Sequence, residues 1–277
     1  MPVVPVVLFA AVLHASWNAL VKPVGDRLAL MAVMGAASAA ICLPVTVLAH
    51  APRAAAWPEL GASMLLHTVY NLLLIEAYRE GDFNQVYPIA RGTAPPAVAL
   101  AAALVVGETL TPVQTLGVIG VSAGLFILAA AHGHGTRRAV GFALLTGLAI
   151  ASYTVVDGVG VRRSGSTLGY TGWLFLGNGL LTAFALLAAR IGSGAPLHIP
   201  SALITRGLLA GVLSLVAYAL VLWAQTRGEL AVVAALRETS VVFAALLGAV
   251  FFHERLPKRR AFASVLIACG AASLALG

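Results

Sequence analysis

Two arginines lie inside long apolar stretches of the sequence, where a charged side chain is costly to place. Arg91 stands in ARGTAPPAVALAAALVVGETL at 90–110, and Arg237 stands in LRETSVVFAALLGAVFFHERL at 236–256. A charge at the centre of a membrane-spanning helix costs about 2.5–3.5 kcal/mol, so such a side chain must face protein or water. The repeated arginines therefore indicate a polar cavity inside an apolar bundle.

Arg91 has the surroundings expected of a substrate-binding group. It lies about eight residues into its apolar stretch, and three prolines lie within five residues of it. Prolines in a spanning helix free backbone carbonyls that neighbouring groups or water must satisfy. A guanidinium beside such a loosened segment suits a substrate with a carboxylate, which it can bind through two parallel hydrogen bonds. The alternative is an internal salt bridge, with Asp157 or Glu238 as the partner.

Polar side chains recur at helical spacing in the other apolar stretches, which places them on shared helix faces. His14 and Asn18 are four residues apart, and so are Tyr153 and Asp157. On a regular helix the adjacent Arg237 and Glu238 point about 100° apart and cannot share one face. The residues that we expect to bind the substrate are His14, Trp17, Asn18, His67, Tyr70, Asn71, Tyr87, Arg91, Tyr153, Asp157, Tyr218, Arg237 and Glu238.

Some of the polar groups also have a simpler structural interpretation. Lys22 stands at the end of its stretch and can extend its ammonium group to the membrane interface. His67 can hydrogen-bond a neighbouring helix instead of facing a cavity. Glu108 and Glu254 stand in the connections GETL and HERL, where we expect each of them to cap or brace the next helix.

The composition requires a membrane as the main solvent. Of 277 residues, 60% are hydrophobic and only 10% are charged, with a mean hydropathy of +0.96, whereas soluble domains carry about 25% charged residues. A spanning helix needs roughly 20 mainly apolar residues. Ten such stretches lie near 3–22, 29–49, 60–78, 84–106, 113–131, 140–160, 169–189, 203–225, 230–252 and 260–276. Because these runs lack the alternation of barrel strands, the sequence predicts an all-α polytopic membrane protein with ten transmembrane helices.

Several other classes of function are disfavoured. The net charge of +7 comes from basic residues scattered over short loops, which indicates anchoring to membrane lipid rather than nucleic-acid binding. Cys42 and Cys269 fall inside apolar stretches and are expected to pack as small hydrophobes. The sequence has no His-Glu-x-x-His, paired cysteine ligands or Gly-x-Ser-x-Gly, so we expect no enzyme, metal site or cofactor. A channel is disfavoured because no stretch carries a sustained polar stripe.

The chain reads as two copies of one five-helix unit. The segments around Arg91 and Arg237 align at a constant offset, and threonine, glutamate and leucine residues coincide between them. We therefore predict one repeat at 1–132 and a second at 139–277. Because five is odd, the second unit enters the membrane from the opposite side, which makes the repeats inverted. Transporters of this design hold their substrate near the midplane, where the repeats meet.

The distribution of polar groups predicts which stretches surround that site. The first, third, fourth, sixth, eighth and ninth stretches carry aromatic residues with a polar tip, amides or charges. The second, fifth, seventh and tenth carry far fewer. We therefore expect the first group to line the cavity and the fifth and tenth helices to support it.

These features together resemble the EamA family of the drug/metabolite transporter superfamily. The resemblance is carried by HASWNALVK in the first stretch, by AYREGDFNQVYPIARGTAP around Arg91 and by GETLTPVQTLGVIGVSAGLFIL at the end of the first half. It implies a secondary transporter of small metabolites, exporting amino acids or related compounds, and the same cavity helices. The second half departs from the pattern, with Leu236–Arg237–Glu238 where the first has Ala90–Arg91–Gly92. We expect the protein in the cell (inner) membrane, as a monomer or dimer.

Two rival functions and the coupling ion stay open. A flippase for lipid or lipid-linked sugar is the main alternative, because related folds could accommodate such cargo. An integral-membrane enzyme is the weaker rival. Asp157 or Glu238 is the candidate for carrying a proton in exchange for substrate, since both carboxylates lie within apolar spans.

The charge distribution and the family resemblance give opposite orientations. The connections after the odd-numbered stretches hold eleven Lys and Arg residues, and the other connections hold four. The positive-inside rule then places both termini outside the cell. The resemblance implies that both termini lie in the cytoplasm.

Overall fold

The chain folds into a bundle of long helices. The structure is a computed structural model that describes residues 2–21, 24–130, 136–194, 198–251 and 257–277. A short 3-10 turn at Ala54–Ala56 precedes the third helix. Within this part of the chain the helices are α1 (Val3–Val21), α2 (Arg27–Leu48), α3 (Trp57–Glu80), α4 (Phe83–Val105), α5 (Pro112–Ala130), α6 (Arg137–Ser164), α7 (Thr167–Gly192), α8 (Ser201–Gln225), α9 (Leu230–Arg237), α10 (Ser240–Phe251) and α11 (Lys258–Leu276).

Ten segments of the described chain are long and apolar enough to span a membrane, which confirms the predicted number of transmembrane helices. Large apolar side chains cover their outer faces, and Val47, Leu48 and Leu104 are each more than three quarters exposed. Contiguous apolar surface of this kind marks an interaction with a membrane or another protein. Together with the span lengths, these faces identify lipid as the solvent around the bundle.

The ninth span departs from the prediction of one continuous helix over 230–252. It forms two helices, α9 and α10, which are separated at Glu238 and Thr239. The amides of these two residues donate to carbonyls three residues earlier, each at 3.1 Å, a tighter turn than the α-helix. The Thr239 hydroxyl donates to the Leu236 carbonyl at 2.7 Å. This side-chain hydrogen bond competes with the helical pattern and accounts for the break.

Side-chain caps fix where several helices begin. Asp26, Asp82, Thr136 and Ser166 each accept a hydrogen bond from an amide in the first turn of the following helix, at 2.8–3.0 Å. These residue types are the preferred N-caps, because their oxygens satisfy amides that have no partner within the helix. Gly165 ends α6 with a φ of +71°, a conformation that glycine adopts without steric cost.

Glycine pairs allow the closest helix contacts in the bundle. α2 packs along α7, where a Cβ atom on Gly35 would lie 2.9 Å from the carbonyl oxygen of Gly179. α5 packs along α11, where a Cβ atom on Gly117 would lie 2.8 Å from the carbonyl oxygen of Gly270. A larger residue at either position would push the backbones apart. Close packing of small residues is a main source of helix association in lipid.

α4 and α9 run in opposite directions. The amide of Leu230, at the start of α9, donates at 2.7 Å to the carboxylate of Glu108, which lies beyond the end of α4. Glu238, just after α9, contacts Arg91 in the first half of α4. Because the two contacts come in opposite order along the two helices, α4 and α9 are antiparallel. Their arginines therefore enter the bundle from opposite ends and meet within it.

Candidate functional site

Arg91 joins three separate segments of the bundle. Its Nη1 donates to Oε1 of Glu238 at 3.2 Å, its Nη2 lies 2.7 Å from Nε2 of His14, and its Nε donates to the Tyr87 hydroxyl at 3.2 Å. The guanidinium has no lone pair to accept with, so Nε2 of His14 accepts and the ring proton lies on Nδ1. Of the two salt bridges expected for Arg91, the structure contains the one with Glu238.

Arg237 and Glu238 approach one another at the end of α9. Nε of Arg237 lies 3.9 Å from Oε1 of Glu238. Glu238 keeps right-handed helical backbone angles, with φ of −69° and ψ of −14°, so two long side chains on adjacent positions reach each other. That these neighbours do not share one helix face stays a prediction. Both side chains are buried. Nε of Arg237 and Oε2 of Glu238 have no hydrogen-bond partner in the described part of the chain.

Asp157 is the centre of a second polar group. Its Oδ1 accepts from the Tyr170 hydroxyl at 3.0 Å, and its Oδ2 accepts from the Tyr218 hydroxyl at 2.5 Å. The carboxylate is fully buried, and no ion pair to it is found among the described residues. A buried charge needs such compensation, and here two tyrosine hydroxyls supply it.

Tyr170 is the residue that the sequence analysis missed. It lies on α7, a span that the polar pattern assigned away from the cavity, and it is fully buried against Asp157. Its ring is the largest fully buried side chain of the described residues. Two features of the sequence could have indicated Tyr170. It has a polar tip near the start of a span, and it follows Asp157 by only thirteen positions across a short connection. Tyr170 is the only tyrosine of α7, and Leu174 follows it one turn later, so no second polar group marks a shared face at that position.

Four aromatic side chains pack beside this carboxylate. The His67 ring stacks on Tyr153 with centroids 4.0 Å apart and meets the edge of Tyr218 at 5.9 Å. Tyr70 meets Tyr153 at 5.7 Å. Nδ1 of His67 donates to the Ser63 carbonyl of its own helix at 2.9 Å. His67 therefore contacts the neighbouring helices by ring packing. Its Nδ1 forms a hydrogen bond within α3, whereas the simpler structural interpretation predicted a hydrogen bond to a neighbouring helix.

The remaining predicted site residues make fewer polar contacts. Asn18 donates to the carbonyl of His14 in its own helix at 2.8 Å. The Trp17 ring meets the edge of the His14 ring at 5.0 Å, and its buried Nε1 has no partner among the described residues. Asn71 is half-buried, and its side chain has no hydrogen bond to a described residue.

Arg237 is within electrostatic range of both polar groups. Its charge interacts with His14 of the first group and with His67, Tyr153 and Tyr218 of the second. The charge of Asp157 acts on the same three residues of the second group. These aromatic side chains therefore interact with both a buried cation and a buried anion. The described residues contain no group of three or more His, Cys, Asp or Glu side chains that could hold a metal ion.

Glu108 braces the end of the bundle next to this site. Its Oε1 pairs with Nη1 of Arg162 at 2.7 Å, and its Oε2 accepts from the Leu230 amide at 2.7 Å. Arg162 also donates to the carbonyls of Gln225 and Gly228 at the end of α8. The predicted capping role is therefore seen on α9 and not on the next helix, α5. Glu254 and Lys22, for which structural roles were also predicted, lie outside the described residues.

Ten apolar spans in the described part of the chain, packed around buried charged groups, define a multi-pass membrane protein. The model of the EamA-like transporter family matches residues 137–276, half of the chain, and the chain belongs to this family. The family resemblance inferred from the sequence is thereby confirmed. Members of this family are membrane transporters of small substrates.

A solved structure, described only as a crystal structure of a protein, shares the fold. It matches with a TM-score of 0.75, covering 98% of this chain and 94% of its own. The sequence identity is 18%, so the similarity concerns the fold alone. No match is found among the curated proteins.

Proposed function

We propose that the protein is a secondary transporter that exports amino acids or related small metabolites across the cell (inner) membrane. The observation that carries this proposal is the buried Arg91, which binds residues of α1 and of the α9–α10 break at one point. Intramembrane charges are expensive and mark substrate or ion pathways. In a member of a transporter family, a buried charged network that joins several spans marks the region in which the substrate would bind.

Alternating access follows from the proposed duplication into repeats at 1–132 and 139–277. The antiparallel course of α4 and α9 supports inverted repeats, because these helices occupy equivalent places in the two halves. The helix pairs in contact support them too. α3 packs on α6 as α8 packs on α1, and the pairs α2–α7 and α5–α11 each join equivalent helices. Rocking of one unit against the other would expose the site to each side in turn.

The proposed coupling ion is a proton carried by Glu238 or Asp157. Both carboxylates are buried, but only Glu238 has an oxygen without a partner among the described residues. That open oxygen supports Glu238 as the better placed of the two. Transport that is unaffected when the proton gradient is collapsed would exclude both.

The proposal is tested by transport into liposomes that contain the purified protein. A metabolite panel that includes the common amino acids is presented to wild type and to Arg91→Ala. Wild type should transport at least one compound, and Arg91→Ala should lose most of that transport because Glu238 is left buried and unpaired. Arg227→Ala removes an exposed arginine that packs on Trp223 and should behave as wild type. Undiminished transport of every accepted compound by Arg91→Ala would show that the site is elsewhere.

A further inference from the structure

We propose that Arg237, and not Arg91, binds the carboxylate of the substrate, and that Arg91 serves to hold Glu238 in place. This inference rests on the proposed transport function and assigns separate roles to the two arginines. The sequence alone favours Arg91 as the carboxylate ligand, because three prolines lie within five residues of Arg91. The hydrogen bonds of the folded chain reverse that preference.

Arg91 is already committed to protein acceptors. Each of its three guanidinium nitrogens has a partner, namely Glu238, His14 and the Tyr87 hydroxyl. A carboxylate that entered would have to displace one of these groups. Displacing Glu238 would leave a buried carboxylate without its hydrogen-bonded cation, with only the longer contact to Arg237 remaining, which is unfavourable. Arg91 is therefore suited to hold the α9–α10 break against α1 and α4.

Arg237 is in the opposite situation. It is 5% exposed, and its Nε is buried without a hydrogen-bond partner in the described chain. Its separation of 3.9 Å from Glu238 is an ion-pair contact but is too long for a hydrogen bond. Residues 230–236, which precede it on α9, are buried as well, so Arg237 lies at the end of a helix that is enclosed by the bundle. A buried cationic donor without an acceptor is a binding site for an anionic group of a ligand.

The neighbouring Glu238 defines a second feature of the ligand. Its Oε1 receives Arg91, whereas its Oε2 is buried and has no partner among the described residues. The open donor of Arg237 and the open acceptor of Glu238 are on adjacent residues. A molecule that fills both positions carries a carboxylate and, close to it, a hydrogen-bond donor.

The aromatic side chains place the rest of the ligand. Arg237 interacts electrostatically with Tyr70, Tyr153 and Tyr218, which lie on α3, α6 and α8. These rings offer apolar and cation-binding faces within electrostatic range of Arg237, and the Tyr218 hydroxyl also donates to Asp157. The ligand would therefore lie with its carboxylate at Arg237 and its remaining atoms along the rings.

The first experiment compares acids with their carboxamides in liposome transport. The probes are alanine, leucine and phenylalanine, each with its carboxamide, because the two forms differ in the carboxylate alone. In wild type we expect the acid to have a KM lower than the amide by roughly 10- to 100-fold, as for a hydrogen bond to a charged group. Arg237→Gln should remove this preference. Arg91→Gln should lower the transport rate but keep the preference, and Arg227→Gln is the matched charge control.

The outcomes separate the inference from the function on which it rests. If wild type transports none of the panel, the proposed function fails. If wild type transports an acid and Arg237→Gln keeps the acid–amide ratio of wild type, the function stands and the role of Arg237 is refuted. Arg237→Lys, which retains the charge, gives a second variant should the glutamine form fail to fold. It should show an intermediate preference, since lysine lacks the planar fork of arginine.

The second experiment observes Arg237 in the intact protein. Wild type with ¹⁵N-labelled arginine is titrated with the transported acid, and the Nε–H resonance of Arg237 is assigned from its absence in Arg237→Lys. We expect this resonance to move on binding of the acid and to stay in place with the carboxamide. A resonance that is the same with and without the acid would show that water alone satisfies Arg237 and would overturn the inference.

Discussion

At the scale of single residues, the two arginines differ in what surrounds them more than in where they lie. Both are 5% exposed, and both lie within 4 Å of the same oxygen of Glu238. Arg91 satisfies its nitrogens with protein groups from its own helix and from two other segments, whereas Arg237 leaves its Nε open. Burial by itself therefore does not distinguish a structural charge from a ligand-binding one. The hydrogen bonds that each arginine makes do distinguish the two roles.

The pairing of Arg91 with Glu238 predicts a specific pattern of stabilities. Arg91→Ala should lower the free energy of unfolding by about 3–5 kcal/mol, because it leaves a buried carboxylate without its partner. Glu238→Ala should also destabilise. The double variant should cost less than the sum of the two, since groups in contact are not additive. The measurement is denaturant unfolding in detergent micelles.

Strict additivity of the two single variants would contradict the direct contact between Arg91 and Glu238. Arg227→Ala serves as the control because Arg227 is exposed and lies outside the buried network. It should change the free energy of unfolding by no more than about 0.5 kcal/mol. A large effect of this control would indicate that arginine removal destabilises the protein for reasons unrelated to the site.

At the scale of elements, the site depends on how short helix α9 is anchored. Its eight residues are all buried, and its first amide is capped by Glu108 from a distant connection. Arg162 fixes that carboxylate and the last turn of α8 together. The position of Arg237 therefore depends on contacts at the far end of the same helix. A short helix has little stability of its own, so the anchor matters.

Loss of the Glu108 charge should loosen α9. Glu108→Gln keeps an oxygen that can accept from Leu230 but loses the ion pair with Arg162 and the favourable charge at the helix N-terminus. We expect faster hydrogen exchange at the amides of the first turn of α9, with a cost of about 0.5–2 kcal/mol. Glu59→Gln is the matched control, because Glu59 pairs with Arg163, next to Arg162, and makes no hydrogen bond to a described residue of α9. Equal exchange in both variants would refute the anchoring role.

Asp26 connects the start of α2 to the end of α7 and makes that connection sensitive to pH. The Ala29 amide, and then the Arg190 side chain, hydrogen-bond its carboxylate and hold the pKa of Asp26 below its usual value. The stabilisation is therefore complete above the unfolded pKa of about 3.9. It is lost as the pH falls through the lower folded value.

This linkage is measured by comparing wild type with Asp26→Asn over a range of pH. Wild type should be more stable at neutral pH, and the difference should shrink as the pH falls below about 4. Thermal unfolding in detergent at a series of pH values provides the readout. A difference that stays constant down to pH 2 would mean that the Asp26 charge contributes nothing to the connection.

At the scale of the whole molecule, both chain ends lie at the same end of the bundle. A Cβ atom on Gly277 would lie 3.1 Å from Val113, and one on Gly228 would lie 3.4 Å from Val3. The connections that carry these contacts are joined through Glu108 and Leu230. An even number of spans also places both chain ends on one side of the membrane, since the chain then ends on the side from which it starts.

Reporter fusions to the two termini test this arrangement. Alkaline phosphatase, which is active outside the cytoplasm, and green fluorescent protein, which fluoresces inside it, should give the same compartment for both ends. The result also decides between the two orientations that the loop charges and the family resemblance favour. Termini on opposite sides would contradict an even number of spans. Absence of both phosphatase activity and fluorescence would show that the fusion protein had failed to insert.

The sequence by itself determined that lipid is the main solvent, how many spans the chain has and which residues must be kept away from lipid. These follow from composition and from stretches of about 20 residues, which are local properties of the chain. Hydrophobic content alone shows that Arg91, Asp157 and Glu238 cannot face lipid. The arginine in each half was therefore visible before any helix was placed.

Only the tertiary structure decided which partner each buried group has. Arg91 and Glu238 are 147 residues apart, and local spacing cannot choose between Glu238 and Asp157 when both are equally buried. The break after α9 likewise depends on a side-chain hydrogen bond that competes with the helix. Partner choice depends on how helices from the two halves pack, and that information is spread over the whole chain.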